Sequence, residues 1–157
     1  MMDDHISVNE DAQKVRRAAL NYLAKREYTF FSLQKKLLQK GFSSHAVQAT
    51  LSLLVQEELL NDGRFCEAFI ASRIRKNYGP VRIAAELRQH GINEEVIISE
   101  IKKNEAIWLD CIKKIQKKKF SSPAENLKEK LRRINFLQYR GFKLDQIKEC
   151  FELTDKI

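Results

Sequence analysis

Apolar residues along this chain return at three- and four-residue intervals almost throughout, and long alternation at period two is missing. That spacing gathers the apolar side chains of each segment on one face, as an amphipathic helix requires. Over residues 11–26 the face is Val15, Ala18, Ala19, Tyr22 and Leu23, and over 62–76 it is Phe65, Ala68, Phe69 and Ile74. Over 106–119 it is Trp108, Cys111, Ile112 and Ile115. A second helix follows each of these, beginning near Thr29, at Pro80 after Gly79, and at Pro123 after Ser122. Proline suits a first helical position because its missing N–H would be unpaired there anyway. Asn61 or Asp62 can cap the 62–76 helix, and Ser122 with Glu125 has capping-box spacing. The pattern predicts an all-α chain.

Three glycines, Gly41, Gly91 and Gly141, fall fifty residues apart, and their surroundings agree. Four residues before each stands Leu37, Leu87 or Leu137, and one residue after it Phe42, Ile92 or Phe142. Further on come Val47, Ile97 and Ile147, then Leu51, Ile101 and Phe151. A glycine closing a helix takes the left-handed conformation without a Cβ penalty, and the apolar residue after it packs back on the preceding turn. Ser43 and Asn93 then cap the next helix; Lys143 stands at that place in the third copy, where Asp145 is the candidate instead. Three helices per glycine give repeats at residues 11–58, 59–104 and 105–157, after a disordered tail at 1–10. Starting at Pro123, the third middle helix comes six residues ahead of strict register and should be longer. A period of this size marks a stacked helical array whose neighbours share faces.

Composition supports a folded chain: 43% of its 157 residues are apolar, with only five Gly and two Pro to supply turns. The net charge of +8 and a pI near 9.4 point to nucleic acid as a partner, although Lys-rich helices also serve solubility. Basic residues exceed acidic ones by 1, 2 and 5 over residues 1–58, 59–104 and 105–157, so the field leans toward the C-terminal third. Cys66, Cys111 and Cys150 lie far apart on apolar faces without CxxC spacing, which fits free thiols in a reducing cytoplasm. The N-terminus has no basic and apolar leader pattern, and no run reaches the ~18 apolar residues of a membrane helix.

Catalytic signals are lacking. His5, His45 and His90 are scattered without a helical ligand partner, no phosphate loop occurs, and no nucleophile motif frames a Ser or Cys. No enzyme, metal or cofactor is expected. Basic helix segments remain, densest at residues 35–40, 72–82 and 113–120. Such side chains contact phosphates, and Tyr28 or Tyr78 could stack on an unpaired base. Phe65 and Phe69, by contrast, read as core, Tyr78 reads equally as turn packing, and the Lys113–Lys119 cluster reads first as a solvated face.

Residues 59–92 resemble the signature of the RecX family of bacterial regulators. The likeness rests on Asp62, Arg64, Phe65, Phe69 and Arg73, then on Gly79, Arg82, Ile83, Glu86, Leu87, His90, Gly91 and Ile92. Cys66 stands where that family usually has Ala. The segment ALNYLAKREYTFFSLQKKLLQKGF is similar to the family's first repeat, with Gln34 for the usual Glu. The resemblance implies three tandem three-helix repeats in an elongated, curved array. It implies a non-catalytic modulator of the RecA recombinase in DNA recombination, repair and the SOS response. Such a protein lies along the RecA–single-stranded-DNA filament and limits its ATPase, strand exchange and co-protease function. The expected partners are that filament and DNA, single-stranded first and then duplex, without sequence preference; a monomer is expected and a membrane is not.

Two other readings stay open. One is a helix-turn-helix transcriptional regulator, because a glycine turn followed by a capped helix imitates that motif. The other is a helical scaffold for protein alone, which would show no salt-dependent DNA binding. The expected contact surface is Lys35, Lys36, Arg73, Arg75, Lys76, Arg82 and Arg88, drawn from the first two repeats. Arg82 and Glu86 are also spaced for an internal ion pair.

Overall fold

A computed structural model of the chain describes residues 2–155, with side-chain surroundings for residues 9–151. Within that span run nine helices and no strand. The first repeat holds α1 (Met2–Lys25), α2 (Phe30–Gln39) and α3 (Ser44–Gln56). The second holds α4 (Asp62–Arg75), α5 (Pro80–Gln89) and α6 (Glu94–Lys102), and the third α7 (Glu105–Lys119), α8 (Leu127–Tyr139) and α9 (Leu144–Asp155).

Two boundaries differ from the sequence expectation. Helix runs from Met2, in place of the disordered tail expected over residues 1–10. Met1 and the side chains up to Val8 lie outside the described residues. The third middle helix starts at Leu127, not Pro123. Asn126 supplies the cap, its Oδ1 accepting from the Glu129 N–H at 2.9 Å. Ser122 is spent differently: its carbonyl accepts from Arg133 Nη1 at 2.8 Å.

All three glycines take positive φ, +94° at Gly41, +75° at Gly91 and +100° at Gly141. In the first turn the Phe42 N–H reaches Leu37 O and the Gly41 N–H reaches Leu38 O, the paired bonds that close a helix on a left-handed residue. Phe142 and Gly141 repeat them onto Leu137 and Gln138. Leu37, Leu87 and Leu137 are fully buried, as are Val47, Ile97 and Ile147. Ser43 caps α3 as expected, accepting from the Ala46 N–H at 3.2 Å. At the third turn Gln146, not Asp145, makes the reciprocal bond, with Oε1 accepting from the Lys143 N–H at 3.1 Å.

The chain divides into two compact units, Met1–Cys66 with Gln89–Asn93, and Glu67–Arg88 with Glu94–Ile157. In the first, Val15 and Ala19 of α1 meet Leu33 and Leu37 of α2 and Val47, Leu51 and Leu54 of α3. The Gly91 turn of the second repeat belongs to this unit: the Thr29 hydroxyl donates to His90 O at 2.8 Å, and a Cβ on Gly91 would run into Phe31. The second unit holds the equivalent joint one repeat on. There the Gly79 N–H donates to Arg140 O at 2.8 Å and the Val81 N–H to Gly141 O at 2.9 Å. Trp108, Cys111, Ile112 and Ile115 of α7 are buried in this unit together with Ile147 and Cys150 of α9.

Candidate nucleic-acid interface

The expected basic surface divides by what each side chain already touches. Lys35 and Lys36 lie on α2 in the first unit, and the other five lie in the second. Lys35 is exposed beside a shallow groove lined by Phe31, Gln34, Leu38 and Gln39. Lys36 is half-buried, its ammonium 5.2 Å from the Tyr22 ring centre and 5.7 Å from that of Tyr28. A cation over a ring face is attracted by the ring quadrupole, so Lys36 is held rather than free.

Of the five expected contact residues in the second unit, three are engaged internally. Arg73 Nε donates to Glu86 Oε2 at 2.6 Å and stacks 4.7 Å from the Phe69 ring. Arg82 donates to the other oxygen of Glu86 at 3.3 Å, the i, i+4 pair expected from the spacing, and sits 3.9 Å from the Tyr78 ring. Arg88 makes a two-pronged contact with Glu94, at 2.7 and 2.6 Å. That hydrogen bonding holds the Glu94 carboxyl below its ordinary range and pushes Arg88 upward. Arg75, the last residue of α4, and Lys76 just after it are exposed and form no ion pair among the described residues.

Neither tyrosine offers an open face for stacking. Tyr28 is buried to 5% exposure with Arg26 4.5 Å over its ring. Burial alone would raise its phenol, but Arg26 and Lys36 together bring it below the usual value. Tyr78 is approached by Arg82 and, at 5.0 Å, by Arg140. The Lys113–Lys119 cluster is exposed along α7, except that the Lys119 ammonium covers the Phe136 ring at 3.5 Å.

Sequence reasoning missed what the signature residues do. Asn61, not Asp62, caps α4, accepting from the Arg64 N–H at 2.9 Å. Asp62 accepts instead from the Phe30 N–H at 2.9 Å, supplying a partner to the first turn of α2 from the next repeat. Arg64 donates to Glu27 at 2.5 Å and to the carbonyls of Glu58 and Leu59. These contacts join positions 27–32 to 58–64, and no helical periodicity announces them. A further row of cations on α1, Lys14, Arg17 and Lys25, lies outside the expected set, although spacings of three and eight residues put it on one helical face.

Comparison with known proteins covers the same ground. The model of the first RecX three-helix domain matches residues 16–54, that of the second 61–98 and that of the third 109–151. Regulatory protein RecX of Halorhodospira halophila is 40% identical over 147 residues, 92% of this chain and 91% of that one. The same-named protein of Pseudomonas syringae pv. tomato is 35% identical over 134 residues, 85% of this chain and 86% of that one. Among solved structures, the RecX crystal structure from Lactobacillus salivarius superposes with a TM-score of 0.82 at 19% identity, over 95% of this chain and 99% of that one.

Proposed function

The chain belongs to the RecX family of regulatory proteins, and we propose that it binds the RecA filament on single-stranded DNA and limits its ATPase, strand exchange and co-protease function. The observation that carries this reading is the ordered match of all three repeats to one family of regulators. The role is non-catalytic, exercised by a monomer in the cytoplasm on a partner made of protein and nucleic acid. Three buried cysteine thiols outside any disulfide are in keeping with that compartment; burial pushes the Cys111 and Cys150 thiols up and keeps them inert.

Lys35, Arg75 and Lys76 are the members of the basic set most available to a partner, since Arg73, Arg82 and Arg88 already hold carboxylates. The helix-turn-helix alternative draws little support from the helices after the glycine turns, of which α6 and α9 carry one lysine each. α3 contains no Lys or Arg, and a recognition helix needs donors toward phosphates and base edges. The deciding experiment adds the chain to preformed RecA filaments on single-stranded DNA and follows ATP hydrolysis. A dose-dependent fall is expected; no change at any stoichiometry would sink the proposal.

A further inference from the structure

The first unit contains a cleft of about 320 Å³ between α1 and the end of α2. Lys14, Arg17 and Lys25 line it from α1, and Lys40, the residue closing α2, faces them. All four are exposed, and among the described residues none forms an ion pair and no carboxylate lines the cleft. Its floor carries Tyr22, whose ring centre lies 5.0 Å from the Lys40 ammonium and 5.2 Å from that of Lys36. With Lys36, which approaches the same ring from outside the cleft, five cations are grouped here with no ion-pair partner among the described residues. Like charges held together in this way repel, and an anion in the cleft relieves that repulsion.

We propose that this cleft binds the phosphate backbone of single-stranded nucleic acid. The three cations on α1 fall at positions 14, 17 and 25, a row of roughly 16 Å at the helical rise. That length suits several successive phosphates better than one small anion. Four of the five cations are lysines, compact point charges that suit phosphate oxygens without demanding the planar fork geometry of a carboxylate. Asn21, also lining the cleft, adds a neutral donor. Tyr22 is a positioning residue: it holds Lys40 at the wall, with Lys36 against the same ring, and leaves the row on α1 to track the chain. No base-reading group converges there, so binding is independent of sequence.

The assignment rests on the reading that this protein works on a nucleic-acid filament, and it is tested without the filament. Binding of labelled oligothymidylate is titrated over a range of salt for the full chain and two variants. One variant combines Lys14→Gln, Arg17→Gln, Lys25→Gln and Lys40→Gln. The other removes equal charge from α7 by Lys113→Gln, Lys114→Gln, Lys117→Gln and Lys118→Gln. Each phosphate contact adds about 0.7 to the salt slope of a single strand, so the cleft variant should lose about three from that slope. Its affinity at low salt should fall at least about tenfold, and that of the α7 variant less than about twofold. Equal losses in both, or no loss in the cleft variant, overturn the proposal. So does binding of polyglutamate, or of anionic phospholipid vesicles, as tightly as the oligonucleotide. Thermal melts of both variants confirm that they fold. Failure of the full chain to alter RecA ATPase, with the oligonucleotide result as expected, would remove the filament function and leave the cleft.

Discussion

Glycine can be required for its backbone or for the side chain it lacks, and the three repeat glycines divide on this point. Gly41 has φ +94° and nothing within 4 Å of where its Cβ would stand. A Cβ on Gly141 would lie 2.5 Å from Arg82 Cβ and 2.7 Å from its backbone nitrogen, which cannot give way. Asparagine tolerates the left-handed region, so Gly41→Asn should cost about 1 kcal/mol or less. Gly141→Asn should cost more than about 2 kcal/mol, with urea denaturation separating the two. Glu58 is the opposite case, a residue with a side chain held at φ +60° where α3 closes. Glu58→Gly relieves that strain and should raise stability by about 0.5–1 kcal/mol, read as a higher Tm. The fifty-residue spacing made the glycines legible in the sequence, and their conformation with them. The close approach behind Gly141 was not legible, because a contact over that separation leaves no local pattern.

Among the elements, α8 departs furthest from its counterparts. Where α2 has Leu33 and α5 has Ile83, both fully buried, α8 has Arg133 at 7% exposure. Its guanidinium bonds Glu129 Oε1 and Ser122 O, both at 2.8 Å, covers the Phe120 ring at 4.8 Å, and leaves Nε without a partner among the described residues. A buried cation with an unmet donor stabilises little more than an apolar side chain of similar volume. Arg133→Leu should therefore leave stability within about 1 kcal/mol of the parent or raise it. Hydrogen bonding by Arg133, then by the Glu125 N–H, holds the Glu129 carboxyl below its ordinary range. A lowered carboxyl stabilises the fold above that range and loses the contribution as the acid protonates. The fall in Tm from about pH 5 to pH 3 should then be shallower in Arg133→Leu than in the parent. Capping is equally local to single elements: Asp62→Ala removes the acceptor for the Phe30 N–H and should cost about 1–2 kcal/mol by urea denaturation. Helix starts at Pro80 and near Thr29 followed from turn chemistry, whereas Pro123 misled because Asn126, three residues on, competes for the same helix.

Over the whole molecule the +8 charge is a poor guide to which cations are available. Arg73 meets Glu86 thirteen residues on and Arg88 meets Glu94 six on, pairings that depend on how helices fold back and not on their periodicity. Charge reversal at Arg75 and Lys76 should weaken filament binding by about tenfold without moving the melting temperature, while Arg88→Gln should change binding less than about twofold. Unchanged binding in the first variant would discard that patch. The repeat count, the all-helical class and the family likeness were readable in advance because they live in spacing and motif. The free basic face was not, because it is what remains after internal pairing.

The two glycine joints are built from the same register yet are not the same lock. One seats its incoming turn on a threonine hydroxyl, Thr29 to His90 O. The other seats it on bare backbone at Gly79, where even a methyl would stand 2.5 Å from the carbonyl carbon of Gly141. A seat with a threonine has no room for the turn that Gly79 receives. The repeats are alike enough to be counted and different enough not to be permuted. Shuffling them would leave each repeat its own helices, yet it would take from α2 the Asp62 acceptor supplied by the next repeat and mismatch both seats, so the order of the modules is a matter of fit as well as of covalent succession.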